Sequence, residues 1–191
     1  MRTKIIVIVL LLALIVPALY TQVLKPITIQ AKKVQCVSWD ATYVGIENQA
    51  KEIINDSYNK NEVFIHSFKD KLPSSNPNDY MTMYCTLEIK NRSVFHMNSV
   101  EAFVWGLGDY SEKVLFSYSS SEVVTSGVWR LSSGEITFRL DLFIANMDET
   151  AIRNLVKGIK SKVISEGDFI GIREEIIDFS NCKNVTVEFG K

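Results

Sequence analysis

Two stretches of this chain alternate between apolar and polar residues over most of their length. They cover residues 80–90 and 135–145, where every second side chain is apolar. Successive side chains of a β-strand point to opposite faces, so this period predicts strands with one buried and one solvated face, as in antiparallel sheets. The positions predicted to be buried are Met81, Met83, Cys85, Leu87, Ile89, Ile136, Phe138, Leu140, Leu142 and Ile144.

Shorter apolar runs predict seven more strands. Segments rich in Pro, Asn, Ser and Gly separate many of these runs, among them residues 72–79 and residues 106–109. Residues 106–109 are predicted to form a hairpin turn. Many short strands divided by turns are typical of a sandwich of two sheets. The shorter runs are residues 33–39, 63–68, 99–105, 113–118, 161–165, 174–179 and 184–189.

Two helices are predicted between the strands. Asn146 is placed to cap the better defined one, and Glu149 lies three residues later, as in a capping box. Apolar residues then recur at the spacing of one helical face, which predicts a helix packed on a sheet. A less regular pattern predicts a second helix over residues 48–56. The apolar positions of the first helix are Ile152, Leu155, Val156 and Ile159.

The N-terminal residues 1–24 form a leader. Arg2 and Lys4 precede an uncharged run over residues 5–24, and a helix of that length spans about 30 Å, enough to cross a hydrocarbon core. The same features suit a secretory signal with a cut after Ala18. The leader is therefore predicted to be a signal peptide or a transmembrane anchor, and either one exports the rest of the chain. The orientation of an anchor stays open, because lysines also follow the run.

The remaining length suits one domain. Of the 191 residues, about 170 follow the leader, and a chain of this size buries roughly 70% of its unfolded surface. We predict a linker or first strand over residues 25–34 and a single β-sandwich domain over residues 35–191. The net charge of −1 provides no basic field for nucleic acid.

Three cysteines are compatible with one disulfide or with three reduced thiols. If a bridge forms, we expect Cys36 to pair with Cys182, because both flank strand-like runs near the ends of the domain. Cys85 instead belongs to the positions predicted to be buried. Three Asn-x-Ser/Thr sites occur about as often as chance predicts, so they do not indicate glycosylation. These sites are Asn55, Asn91 and Asn184.

A short motif resembles a known family. The sequence LEIKNRS at residues 87–93, followed by VEAFV at residues 100–104, resembles the strand, Lys-Asn-x-Ser turn and strand of immunoglobulin-like modules on exported bacterial proteins. The FxLYD type and the water-stress domain of late embryogenesis abundant proteins are examples, although the Phe-x-Leu-Tyr-Asp signature is absent here. The resemblance covers roughly residues 80–165 and implies a non-catalytic sandwich, without implying a functional residue.

No motif predicts a catalytic, cofactor-binding or metal-binding residue. The two histidines, His66 and His96, are too far apart for a helical i,i+4 pair and lack a Cys-x-x-Cys or His-Glu-x-x-His context. Residues 57–60 match a Ser-x-x-Lys pattern, but the companion motifs of penicillin-binding enzymes are missing. The competing interpretation is a small secreted hydrolase that uses a serine with His66 or His96.

Three aromatic residues form a possible binding surface. On one predicted strand, Phe103 and Trp105 point to one face, and Ala102 and Val104 point to the other. One of these two pairs must either pack against a second layer or stay exposed for a partner. Burial of both faces is the favoured interpretation, because a sandwich with an added helix can cover a sheet twice. Trp129 ends a polar loop whose composition suits contact with a glycan or a protein.

Together these patterns predict a mainly β protein, an immunoglobulin-like antiparallel β-sandwich with one or two short helices, preceded by an N-terminal apolar helix. We expect it outside the cytoplasm, either secreted or held in the cell membrane by a single pass. It is expected to act without a cofactor, as a binding or structural module of the cell envelope. Its expected partner is an envelope protein or a glycan, with the membrane as a further contact if the leader is uncleaved.

Overall fold

The computed structural model describes most of the chain that follows the leader. Within the leader, eight residues are described and all are helical, too few to show the continuous apolar helix that the sequence predicts. Among the described residues, no helix is both long and apolar enough to cross a membrane. The predicted strand over residues 63–68 lies outside the described ranges. These ranges are residues 6, 9–13, 15–16, 27–38, 40–55, 72–93, 97–118, 132–167 and 171–189.

The described chain folds into two sheets with helices between some of the strands. In chain order the elements are β1 (Ile27–Ser38), α1 (Asp40–Asn55), β2 (Tyr80–Asn91), β3 (Met97–Gly106), β4 (Val114–Tyr118), β5 (Ser133–Phe143), α2 (Glu149–Gly158), β6 (Lys160–Gly167), β7 (Gly171–Asp178) and β8 (Asn184–Phe189). Short 3-10 helices occupy Pro77–Asp79 and Gly108–Lys113. The large sheet has the order β4-β5-β2-β1-β8, and the small sheet has the order β3-β6-β7. The mainly β prediction is confirmed.

Strand β2 is the middle strand of the large sheet and carries the centre of the core. It pairs antiparallel with β1 on one side and with β5 on the other. All the positions predicted to be buried on β2 and β5 are buried, and Met83 and Cys85 lie directly opposite Leu140 and Phe138. These side chains share one apolar cluster with residues of the small sheet such as Val100. The two sheets therefore pack face to face through a common core.

Helix α2 connects the two sheets, running from the end of β5 to the start of β6. The apolar face predicted for this helix is buried in the common core. Its N-cap is Asp148, whose carboxylate accepts a hydrogen bond from the backbone N–H of Ala151 at 2.7 Å. The predicted cap, Asn146, was wrong by two residues. Asn146 has a φ of 63°, a left-handed conformation that asparagine tolerates and that places it in the turn after β5.

Helix α1 covers one end of the outer face of the large sheet. Its Ile46 and Ala50 pack with Tyr80, the first residue of β2, in a second and smaller apolar cluster. The helix begins at Asp40, so it is longer than the predicted range of residues 48–56. Because α1 supplies a second layer at this point, Tyr80 is buried although it lies on the outward side of its strand.

Two connections differ from the prediction. Strand β8 runs parallel to β1, with Val185 beside Val34, so the sandwich is not wholly antiparallel. A parallel pair is possible because the chain reaches β8 from β7 of the other sheet rather than through a hairpin. Residues 106–109 do not form a hairpin turn, because β3 and β4 belong to different sheets and the 3-10 helix Gly108–Lys113 connects them.

A buried carboxylate lies on the outer face of the large sheet near α1. The Asp141 side chain is fully buried and accepts hydrogen bonds from Arg139 Nε at 3.0 Å and Arg139 Nη2 at 2.8 Å. The hydroxyl of Thr82, on the neighbouring strand, donates to the same carboxylate at 2.6 Å. A two-pronged guanidinium contact and a hydroxyl offset the cost of removing a carboxylate from water. Loss of the carboxylate would remove this ion pair and its hydrogen bonds from a buried site.

Replacing Asp141 by asparagine is expected to lower the free energy of unfolding by about 3 kcal/mol, the lower end for a broken buried ion pair, because Arg139 remains partly exposed. The matched control is Glu149→Gln, which breaks the exposed Glu149–Arg153 pair and should cost about 0.5 kcal/mol or less. Denaturant unfolding of the three proteins measures both values. Equal losses in the two variants would contradict the assignment of Asp141 as a stabilising buried charge.

Candidate binding surface

The small sheet presents an apolar surface on its outer side. Trp105 is 57% exposed, Ile172 is 70% exposed and Ile176 is 54% exposed. Phe103 and Ile164 are half-buried. These five side chains, from all three strands, are called the small-sheet face below. An exposed apolar surface of several neighbouring large side chains is typical of an interaction site.

The alternation of buried and exposed positions shows why these residues point outward. Val100 and Ala102 on β3 and Val163 on β6 are buried in the common core, so the residues between them face the other way. Burial of both faces was therefore the wrong interpretation for Trp105. Helix α2 packs against the 3-10 helix Gly108–Lys113 and against β8, which leaves it away from the outer side of the small sheet.

A lysine lies over the Trp105 ring, and a glutamate forms an ion pair with that lysine. Lys162 Nζ lies 5.2 Å from the ring centroid, and the same nitrogen lies 2.7 Å from Glu174 Oε2. A cation over an exposed tryptophan ring contributes about 0.5–1 kcal/mol. The indole is thus oriented by its neighbours while it remains on the surface.

The charged residues of the small-sheet face are mostly acidic. Strand register places the charged residues on the outward side of the three strands, in the same rows as the apolar ones. Carboxylates outnumber ammonium groups among them, and one of the two lysines is already engaged by a glutamate. A partner that combines apolar and basic residues would therefore match this surface. The charged residues of this outer side are Glu101, Glu166, Glu174, Asp178, Lys160 and Lys162.

The other residues singled out in the sequence are mostly not placed by the structure. Trp129, His66 and His96 lie outside the described ranges. Within the part of the chain that is described, no group of three or more His, Cys, Asp and Glu side chains is arranged to hold a metal ion. The sequence did not single out Ile172 and Ile176, because only the pairing of β7 with β6 brings them into one surface with Trp105.

All three cysteines are free thiols in the structure, and the Cys36–Cys182 pairing stays a prediction. Cys36 and Cys85 are buried on the adjacent strands β1 and β2, whereas Cys182, in the turn before β8, is half-buried. Burial raises the pKa of the Cys36 thiol to about 12 and raises the pKa of Cys85 well above its ordinary value. Burial also raises the pKa of Cys182. Because the thiolate is the nucleophile, these thiols are poorly suited to catalysis.

The Lys-Asn-x-Ser turn is closed by its own asparagine. Asn91 is 2% exposed, and its side-chain oxygen accepts a hydrogen bond from the backbone N–H of Ser93 at 2.9 Å. A buried amide in this role is not accessible for glycosylation in the folded domain. Asn184 is exposed, and its side-chain amide donates to the carbonyl of Lys32 at 3.2 Å.

Comparisons with known proteins identify no family for this chain. No protein-family model and no curated protein matches the chain. Among solved structures, an uncharacterized β-sandwich protein from Clostridium difficile is similar over 80% of this chain and 85% of that chain, with 11% identity and a TM-score of 0.26. A protein from Archaeoglobus fulgidus is similar over 53% of this chain and 86% of that chain, with 15% identity and a TM-score of 0.25. Similarities this weak carry no information on function.

Alkylation should distinguish the three thiols. With iodoacetamide at about pH 8, we expect Cys182 to react first, because it is half-buried, and Cys36 and Cys85 to react only after unfolding. Mass spectrometry of the folded and the guanidinium-unfolded chain measures the number and position of adducts. A chain that is two hydrogens lighter and has a single reactive thiol after unfolding would show a disulfide and contradict the free-thiol arrangement.

Proposed function

We propose that this protein is an exported, membrane-tethered binding module of immunoglobulin-like type that recognises a partner protein of the cell envelope through its small-sheet face, without catalysing a reaction. The exposure of Trp105, Ile172 and Ile176 on one sheet is the observation on which the proposal rests. A soluble domain gains nothing in its own stability from leaving three large apolar side chains in water. Association with a partner would remove this apolar surface from water.

The leader supports the tethered arrangement. The large apolar side chains described within residues 6–16 are 47–60% exposed, so they are not part of the domain core. An uncharged run of 20 residues is long enough to span a bilayer of about 30 Å. The run also ends close to Ile27, where β1 begins. A tether at this position would hold the whole domain next to the membrane surface.

A protein partner fits the small-sheet face better than a glycan does. Sugars stack on single aromatic rings such as Trp105, but Ile172 and Ile176 offer aliphatic surface that a hydroxyl-rich ligand does not match. The acidic residues among these apolar side chains favour a partner surface that combines apolar residues with lysine or arginine. Tryptophan residues near the centre of an interface commonly carry a large part of the binding energy.

Fractionation and intact mass of the natively expressed chain test the tether. We expect the full-length mass in the membrane fraction, because the uncharged run is long enough to remain in the bilayer. Extraction with high salt is the control, since it releases peripheral proteins but not a spanning helix. A chain shortened by its first 18 residues and found in a soluble exported fraction would contradict the tether, while leaving the binding face to be tested separately.

Site-specific photo-crosslinking in the native membrane tests the binding face. A photoreactive amino acid in place of Ile176 is expected to give one discrete protein adduct, and Trp105→Ala should weaken that adduct by at least tenfold. The matched control is the same photoreactive residue in place of Tyr84, which is 40% exposed on the outer face of the large sheet. Adducts of equal yield at both positions, or none at position 176, would show that the small-sheet face is not the docking surface.

A further inference from the structure

An open cleft lies between the first half of β1 and the edge strand β7, away from the small-sheet face. Its volume is about 590 Å³, within the range of about 300–1,000 Å³ that is usual for ligand sites. Residues 27–29 line one side and residues 173–175 line the other, with Arg92 and Ser165 between them. The two walls belong to different sheets, so the cleft is a gap between the two sheets of the sandwich.

Both walls of the cleft are strand edges. Successive side chains of a strand point to opposite faces, so three consecutive residues line the same cavity only where the strand turns its edge toward it. Strand β8 pairs with β1 only from Lys33 onward, and β7 pairs with β6 on its other side. Among the described strands, residues 27–31 therefore have a partner on one side only. An edge of this kind offers backbone N–H and C=O groups for an additional strand.

Several charged and polar side chains described beside the edge of β1 point away from it. Gln30 donates to Glu88 at 2.6 Å and Lys32 forms an ion pair with Glu135, both along the outer face of the large sheet. On the opposite wall, the carboxylate of Glu174 is held by Lys162 on the outer side of the small sheet. These contacts direct charged side chains away from the slot between the two strands.

Polar groups in the cleft match a carboxylate. Arg92 and Arg173 line it from two different elements, and both also interact with other groups of the protein. Ser165 is 4% exposed, yet its hydroxyl has no hydrogen-bond partner among the described residues, an unusual state for a buried polar group. A ligand oxygen would supply that partner. Guanidinium groups bind carboxylates by paired, charge-assisted hydrogen bonds.

A second cavity extends the basic side of the cleft. It has a volume of about 410 Å³ and shares Arg92 with the first cavity. Its other lining residues are Lys90 and three uncharged polar residues, Asn91, Ser132 and Ser133. By contrast, the β7 wall of the first cavity carries Glu175, which would repel an anion. The negative end of a ligand is therefore favoured near Arg92 and disfavoured beside Glu175.

We propose that this cleft binds an extended peptide segment of a partner protein, which adds a strand beside residues 27–31 and directs a carboxylate toward Arg92 and Arg173. The unpaired edge of β1 supplies the main-chain hydrogen bonds. Ile27 and Ile29 supply an apolar wall for alternate side chains of the peptide. Ser165 and Arg173 lie on the inward side of the small sheet, opposite the small-sheet face, so the peptide and the partner proposed above contact different side chains.

Nuclear magnetic resonance titration of the purified full-length chain tests the cleft. The probe is a synthetic hexapeptide of alternating threonine and valine, acetylated at its N-terminus and with a free C-terminal carboxylate, at about 1 mM, where weak complexes are detected. We expect backbone amide shifts confined to residues 27–31 and 173–175. The same peptide with a C-terminal amide should bind about tenfold more weakly, because it lacks the charge for the guanidinium groups.

Two variants separate the carboxylate contact from a loss of folding. Arg173→Gln should weaken binding of the free-carboxylate peptide about tenfold and remove its advantage over the amidated peptide. Arg153→Gln, a change of an exposed arginine on α2, should leave both affinities unchanged. Unchanged amide positions outside the cleft confirm that each variant is folded. Equal binding of the two peptides, shifts on the small-sheet face, or no shifts at all would overturn the proposal.

Discussion

The shared apolar core between the two sheets is the constraint on which the rest of the structure depends. Strand β2 crosses its centre with Met81, Met83, Cys85 and Leu87 fully buried. Residues from both sheets and from α2 complete the same cluster. Hydrophobic burial of this extent is the main favourable term in folding, and it fixes which side of each strand faces inward. The residues on the other side of each strand then determine the chemistry of the outer faces.

The two sheets use their outer faces differently. The large sheet is covered by α1 at one end, where Tyr80 and Asp141 are buried. Farther along, its outer side carries polar pairs such as Thr86 with Thr137. The outer side of the small sheet instead exposes Trp105 among aliphatic residues. Apolar surface that the domain leaves uncovered is the physical basis for proposing a binding role for this sheet.

The edges of the sheets decide where a second contact can form. Strand β8 covers only the second half of β1, because its pairing begins at Lys33. The first half of β1 faces the edge of β7 across a cleft, and the residues that line it come from distant parts of the chain. The main-chain groups at such an edge do not depend on which side chains are present, so no short sequence motif predicts an edge of this kind.

The sequence by itself determined the elements whose periodicity is strong. Alternation identified β2 and β5 with their buried faces, and the 3.6-residue spacing identified α2, because these patterns reflect one local geometry each. The N-cap at Asp148 was missed, since Asn146 offers the same side-chain chemistry and only the left-handed backbone at Asn146 excludes it. The local sequence pattern thus predicted the presence of the helix correctly but not the residue at which it begins.

Tertiary structure alone decided the pairing of strands, and with it the candidate sites. The sequence marked Trp105 as a possible binding residue, but its exposure depends on where α2 packs, and Ile172 and Ile176 join it only through the register of β7 with β6. The parallel pairing of β8 with β1 likewise depends on a return from the other sheet. Periodicity specifies which side of a strand is apolar, whereas the neighbours of that side are set by contacts between residues far apart in the chain.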